Sequence, residues 1–246
     1  MKIMNKTLAA ILLAGTSTLT LADEVKVAVA ANFTAAMKEI AAAFEKSSGH
    51  TTQVSFGSSG KLYTQIVNGA PFEVFLSADQ ARPQKLVEEG AASGEFTYAV
   101  GKLVLWSTDP ELIGDGPEVL SGDKFEKLAI ANPKTAPYGA AAVEVMKSLG
   151  LAERLQPKLV QGDNIAQTYQ FVATKNAELG FVALAQTVKD GSGSSWTVPE
   201  DLYSPIRQDA VLLEKGEGNA AAAALIEYLK GPEAQAVIEK YGYGVE

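Results

Sequence analysis

The 246-residue chain contains no cysteine and a single histidine, His50. The missing cysteine excludes disulfide bonds, a lipid-modified cysteine and a cysteine nucleophile. One histidine cannot build a histidine metal cluster, and neither a histidine-based triad nor a Gly-x-Ser-x-Gly turn can be recognised. We therefore predict that the protein is not an enzyme and needs no cofactor.

Long hydrophobic runs are missing as well. The apolar residues 8–13 are too short to cross a bilayer. They follow Lys2 and Lys6 and precede small residues at 20–22, which is the order of regions in a secretory signal peptide. We predict that residues 1–22 are a cleaved signal peptide and that the mature protein is free in the periplasm.

Positive charge is in deficit. The chain has 21 basic and 29 acidic residues, a net charge of −8, and removal of the two lysines in residues 1–22 would make it −10. This charge makes nucleic acid and anionic lipid poor partners. Any anion site in such a protein must depend on local dipoles rather than on the overall field.

The sequence from residue 23 onward alternates short hydrophobic strands with amphipathic helices, which predicts an α/β protein with largely parallel sheets. We predict strands at residues 25–29, 52–56, 72–76, 101–106, 128–131, 159–160, 179–184 and 210–213. Helices are expected at 33–47, 60–68, 78–89, 138–149, 165–172, 220–229 and 232–241. The polar residues before Gly101 and the segment 191–195 are interpreted as loops.

Four junctions between a strand and a helix stand out, at residues 31–32, 58–59, 138–139 and 164–165. The first N–H groups of a helix have no partner within the helix and lie at the positive end of its dipole. Ligands of parallel sheets bind beside such junctions. Two junctions fall in each half of the chain, which indicates a cleft between two lobes.

The junction after the second strand has extra donors. Ser58 and Ser59 add hydroxyl groups, and Gly57 and Gly60 let the backbone approach a ligand closely. An ordinary serine cap of the helix is the simpler interpretation, and Asn32 could equally be a helix cap. The recurrence of the arrangement favours an anion site.

Seven stretches in order resemble the periplasmic molybdate-binding proteins of ABC importers, the ModA type, over essentially the whole mature chain. They are residues 29–34 (VAANFT), 55–60 (SFGSSG), 69–79 (GAPFEVFLSAD), 131–133 (ANP), 136–139 (APYG), 179–182 (LGFV), and 228–235 (YLKGPEAQ) followed by Tyr241 and Gly242. The resemblance implies a type II periplasmic binding protein fold, with two α/β lobes of mixed, mostly parallel sheets joined by two crossing hinge strands. It places lobe 1 at residues 23–101 and 206–246 and lobe 2 at residues 102–205.

The resemblance also implies a function and a site. Molybdate, and tungstate, would bind between the lobes and be delivered to the membrane permease of the importer by a monomeric protein. By position, the oxyanion contacts fall on Asn32, Ser59, Tyr138 and Ile165, with Ala31 and Ser58 as neighbouring donors. These residues would contact the oxygen atoms of the anion and would not ligate the metal directly. Many relatives have a tyrosine near Ala183, so here the hydroxyl of Tyr138 is the candidate substitute.

Three alternatives remain open. The same fold could bind sulfate or phosphate, and Asp79 and Asp163 lie near the junctions, where a carboxylate could accept a phosphate proton. A secreted hydrolase is disfavoured because no nucleophile and base are recognised. A sensor or interaction module on the same fold would be distinguished by the absence of a neighbouring permease and ATPase.

Overall fold

The computed structural model describes residues 23–188 and 191–245, so the predicted signal peptide at residues 1–22 lies outside the described part. This part forms two α/β lobes, each built on a five-stranded sheet. No helix in residues 23–188 and 191–245 has both the length and the apolar character needed to cross a membrane.

The first sheet has the strand order β2-β1-β3-β10-β4, and β10 runs opposite to the other four strands. Its strands are β1 (Glu24–Ala30), β2 (Thr51–Gly57), β3 (Val74–Leu76), β4 (Ala92–Gly101) and β10 (Ile206–Leu213). Valines at alternate positions of β1 are fully buried, as expected for a central strand covered on both faces.

The second sheet repeats this plan in the order β7-β6-β8-β5-β9, with β5 as the strand of opposite direction. Its strands are β5 (Leu103–Ser107), β6 (Leu128–Ala131), β7 (Leu159–Gly162), β8 (Leu179–Ala183) and β9 (Ser194–Thr197). The predicted mixed, mostly parallel sheets are therefore confirmed.

Helices cover both faces of each sheet. On the first sheet, one face carries α1 (Thr34–Ser48), α9 (Ala220–Lys230) and α10 (Pro232–Lys240), and the other carries α2 (Ser59–Val67) and α3 (Ala81–Glu88). The second sheet is covered by α5 (Pro137–Ser148) on one face and α7 (Ile165–Ala173) on the other. Short helical turns complete the lobe: α4 (Glu118–Ser121), α6 (Ala152–Leu155) and α8 (Leu184–Thr187).

Two chain crossings join the lobes. Lys102 alone separates β4 from β5, and the chain returns to the first sheet at Ile206. Gly101 and Ile206 are paired across β4 and β10, so the two crossings lie side by side, as the type II binding protein fold requires. The limits of the lobes as moving units, predicted at residues 101/102 and 205/206, stay a prediction.

Two strands were missed by the sequence interpretation. Residues 92–101 form β4, whereas the sequence predicts a loop for the polar residues before Gly101. Its first half is largely exposed and contains Gly94 with a positive φ, so a hydrophobic alternation is absent there. The segment 191–195, interpreted as a loop, contains the start of β9, which pairs with β5 and is anchored by the buried Trp196.

Candidate oxyanion site between the lobes

A small cavity lies between the lobes where the N-terminal ends of α2, α5 and α7 meet a 3-10 turn, Ala31–Phe33. All six predicted site residues line it: Ala31, Asn32, Ser58, Ser59, Tyr138 and Ile165. The other lining residues are Ala30, Gly57, Ala78, Ala136 and Pro137. None of these described lining residues has a charged side chain, so the cavity is a neutral site.

The two serines provide buried hydroxyl groups at the start of α2. Ser58 precedes the helix, and its Oγ is buried without a hydrogen-bond partner in the described part of the chain. Ser59 is 1% exposed, and its Oγ accepts a hydrogen bond from the Ala78 N–H at 2.9 Å. Since that bond uses an oxygen lone pair, the Ser59 hydroxyl hydrogen remains available for donation.

At the start of α7, one backbone N–H group has no hydrogen-bond partner within the helix cap. The Asn164 side chain caps the helix and accepts from the N–H groups of Ala166 and Gln167, both at 3.0 Å. The N–H of Thr168 bonds to the Asn164 carbonyl. Ile165, the first residue of the helix, is buried against the cavity, and its N–H is the first-turn donor that this cap does not use.

Asn32 does not cap a helix. Its Nδ2 donates to Gln208 Oε1 at 2.7 Å and to the Tyr243 hydroxyl at 3.1 Å. The Tyr243 hydroxyl in turn donates to the Asn32 carbonyl at 2.8 Å, which fixes the direction of these bonds. Both amide hydrogens are therefore in use, and a contact from Asn32 to an anion has to come from its backbone N–H.

The Tyr138 hydroxyl is directed to the hinge. It accepts from Gln208 Nε2 at 3.3 Å, and a Cβ on Gly101 would overlap the hydroxyl oxygen. Burial raises the pKa of Tyr138, and of Tyr98 in the same network, well above the usual value, so both hydroxyls stay neutral. Tyr138 is the second residue of α5, after Pro137, so its N–H belongs to the first turn of that helix.

The aspartates that could have accepted a phosphate proton are engaged elsewhere. Asp79 forms an ion pair with Arg82 on its own lobe. Asp163 pairs with Lys61 across the mouth of the cleft at 2.9 Å, and its side chain is 67% exposed. Neither aspartate lines the cavity.

The lobes touch directly above the cavity. The Gly60 N–H donates to the Thr135 carbonyl at 2.9 Å, and Arg82 Nη2 donates to the Lys134 carbonyl at 3.3 Å. The apolar core of the second lobe continues across the interface to Ala30, Ala31 and Ala78. The structure therefore has the cleft closed around a set of neutral donors.

Sequence reasoning missed the residues that support the site from a distance along the chain. Gln208 and Tyr243, which hold the Asn32 side chain, follow it by 176 and 211 residues. Thr135 was not singled out, although its carbonyl binds Gly60 and its buried Oγ1 has no partner in the described residues. No local pattern indicates these contacts.

The model of the family described as bacterial extracellular solute-binding protein matches residues 25–244. The chain belongs to this family. Solute-binding proteins of this family serve transport and are not enzymes, which agrees with the absence of a recognisable catalytic set.

Individual relatives also show that the chain is similar to solute-binding proteins. The chain is 62% identical to the molybdate-binding protein ModA of Azotobacter vinelandii over 230 residues, which covers 92% of this chain and 91% of that one. It is 59% identical to the protein of the same name from Rhodobacter capsulatus, with 92% and 90% covered. Both confirm the resemblance to solute-binding proteins of the ModA type.

A solved structure gives the same result for the fold. The periplasmic molybdate-binding protein of Azotobacter vinelandii superimposes with a TM-score of 0.88 and 42% identity, covering 90% of this chain and 99% of that one. The type II binding protein fold of this solute-binding protein is thereby established.

Proposed function

We propose that this protein binds molybdate, and tungstate, in the cavity between the lobes and delivers it to the permease of an ABC importer. The observation that carries the proposal is the convergence of three helix starts and two buried serine hydroxyls on one neutral cavity. Relatives above 55% identity that are named molybdate-binding proteins support the choice of ligand.

The donor set suits a tetrahedral dianion. Burial of such an anion is costly unless each of its oxygens receives hydrogen bonds. Backbone N–H groups at helix starts supply these bonds together with the positive end of the dipole, and they add no acceptor that would repel the anion. In this proposal Asn32, Tyr138 and Ile165 donate through their N–H groups, Ser59 through its hydroxyl, and Ala31 and Ser58 are neighbouring donors.

The same set selects among oxyanions. A protonated phosphate brings a hydrogen that needs an acceptor, and no carboxylate is found among the described lining residues. Sulfate carries no such hydrogen, so it is excluded by size instead, because it is smaller than molybdate and would leave some donors unpaired. Molybdate and tungstate are therefore the ligands that we propose.

The cellular part of the proposal follows from the sequence and the family. Residues 1–22 direct the chain to the periplasm and are then removed. There the protein acts as a monomer, and its closed form with ligand bound is what the permease recognises. Two lobes joined by adjacent crossings are suited to opening and closing around a ligand.

The test is a melting experiment with four oxyanions at equal concentration. A ligand that binds the folded state adds RT ln(1 + [L]/Kd), about 4 kcal/mol at a thousandfold excess over Kd. For a protein of this size that corresponds to a rise in Tm of roughly 8–16 °C. We expect this rise with molybdate and tungstate and little change with sulfate or phosphate. An equal or larger rise with sulfate or phosphate would overturn the assignment.

A further inference from the structure

Gly60 is the residue of α2 at which the two lobes meet through their backbones. Its N–H donates to the carbonyl of Thr135, from the other lobe, at 2.9 Å. Gly60 lies in the first turn of α2, directly after Ser59, so its N–H is one of the donors that the helix itself leaves unpaired. In the closed cleft this donor is satisfied by the opposite lobe rather than by an anion.

The contact leaves no room for a side chain on Gly60. A Cβ there would lie 2.9 Å from Thr135 Cα and 3.1 Å from Thr135 Cβ. Both distances are shorter than ordinary van der Waals contacts, and the closer atom belongs to the backbone, which cannot rotate out of the way. The Arg82 guanidinium, 3.0 Å from the same point, could rotate away because it ends a flexible side chain.

We propose that Gly60 is a positioning residue for closure of the cleft, because its bare backbone lets the Thr135 carbonyl dock on the start of α2. This inference rests on the proposed function in one respect, namely that closure completes the binding of the anion. Gly60 itself is not among the lining residues of the cavity. A substitution at Gly60 should therefore change the affinity for the anion by changing the relative position of the lobes.

Two other contacts surround this point. Arg82 reaches the Lys134 carbonyl, and Lys61 pairs with Asp163 while both side chains are about half exposed or more. Exposed ion pairs contribute little. Among these three polar contacts, the buried backbone contact between Gly60 and Thr135 is therefore the one that we expect to limit how far the lobes can close.

The first measurement is the affinity of Gly60→Ala for molybdate by titration calorimetry. We expect a loss of tenfold or more, since the added methyl group holds the lobes apart. We expect the Tm of the ligand-free variant not to fall, because alanine is a better helix residue than glycine. A merely structural role for Gly60 would instead lower that Tm.

The matched control is Gly114→Ala. A Cβ at Gly114 meets nothing within 4 Å, and Gly114 does not have a positive φ. This variant should bind molybdate like the wild type. Wild-type affinity in Gly60→Ala would overturn the inference.

The second measurement reports closure directly and does not depend on a ligand. The chain has no cysteine, so Lys61→Cys with Asp163→Cys gives a single thiol pair across the mouth of the cleft. A short bifunctional thiol reagent joins the pair whenever the lobes close. We expect cross-linking to be several times slower when Gly60→Ala is added, with or without molybdate.

The two measurements separate this inference from the proposed function. If the wild type does not bind molybdate, the proposed function is wrong, and the ligand-free cross-linking rate still decides the role of Gly60. Equal cross-linking rates with glycine and alanine at position 60 would overturn that role, even if the affinity had fallen.

Discussion

Ser58 holds a buried hydroxyl that has no partner in the described part of the chain, at the edge of the cavity. An unsatisfied buried polar group costs about 1–3 kcal/mol. Ser59, the next residue, has its oxygen occupied by the Ala78 N–H and its hydrogen free. At the residue scale, these two hydroxyls are arranged as expected of donors whose hydrogen-bond acceptor is a bound ligand.

The charge of the ligand can be tested at Ser59 with two substitutions of equal size. The two side chains are nearly isosteric, and an oxygen of either can accept the Ala78 N–H. They differ in charge, and asparagine presents an amide donor where aspartate presents a second acceptor, so both differences favour the anion in the asparagine variant. Two charges 4 Å apart interact by about 4 kcal/mol at an effective dielectric constant of 20. We expect Ser59→Asp to bind molybdate at least a hundredfold more weakly than Ser59→Asn in calorimetric titrations. If the two variants bind alike, Ser59 does not face an anion.

Six of the eleven residues that line the cavity are predicted from the sequence, because each lies at a junction that a local pattern marks. Gln208 could not be predicted, because its importance comes from contacts with Asn32, Tyr98 and Tyr138, which are 70 to 176 residues away in the sequence. Both amide hydrogens of Asn32 are used in contacts that are also distant in the sequence, with Gln208 and Tyr243. The sequence predicts Asn32 as an oxyanion contact, and the structure places it in the cavity lining, but the sequence does not show which of its donors is free.

At the scale of elements, the starts of helices carry the proposed function. The cap on α7 occupies the N–H groups of Ala166 and Gln167 and leaves that of Ile165. Isoleucine has no polar side-chain atom, so any hydrogen bond it makes to an oxyanion must come from this backbone group. Substitutions at Ile165 can therefore test donation by the backbone N–H without changing any side-chain donor.

Ile165→Pro removes this donor at the first position of the helix, where proline is tolerated. The preceding residue, Asn164, has φ −155° and ψ 173°, which is compatible with a following proline. Loss of the donor leaves a buried anionic oxygen short of a partner, at a cost of about 1–3 kcal/mol. We expect molybdate affinity to fall tenfold or more relative to Ile165→Ala, measured by calorimetry.

Ile165→Ala is the control, since it keeps the N–H and loses the apolar contacts. Both variants should fold, which circular dichroism checks. Equal affinities for the two variants would show that the start of α7 does not hold the anion, and the second lobe would then contribute through α5 alone.

Elements with a strong hydrophobic period were predicted correctly, and the two that failed lack one for physical reasons. Strand β4 pairs with β10 through two irregularities in register, near Asp209 and Ala210, so its buried and exposed positions do not alternate. Strand β9 is four residues long, begins with two serines and has one buried residue, Trp196. The segment is a strand because its backbone pairs with β5, and its own side-chain pattern does not indicate one.

At the scale of the molecule, a chain of net charge −8 surrounds the cavity in which we propose that a negative ligand binds. Because the described lining has no cation, the attraction has to come from helix dipoles and hydrogen bonds at short range. Attraction of this kind acts only at short range, so in the proposed function it links affinity to closure of the lobes.

The hinge network also makes the stability of the whole molecule sensitive to alkaline pH. Tyr98, Tyr138 and Tyr243 are buried around Gln208, and burial raises the pKa of each hydroxyl above its usual value of about 10. A raised pKa in the folded state contributes stability that is complete below the unfolded value and is lost as the pH rises toward the folded value. The loss should therefore begin near pH 10.

The size of the effect follows from proton counting. Above pH 10 the folded protein keeps up to three protons that the unfolded chain releases, and each lowers the free energy of unfolding by about 1.4 kcal/mol per pH unit. Because the unfolded tyrosines are only half to nine-tenths ionised between pH 10 and 11, we expect a slope of about −3 kcal/mol per pH unit there, from denaturant unfolding at several pH values. Tyr243→Phe removes one of the three groups, so its slope should be shallower by about a third. Identical slopes for the variant and the wild type would mean that Tyr243 ionises in the folded protein, and that the hinge is open to water.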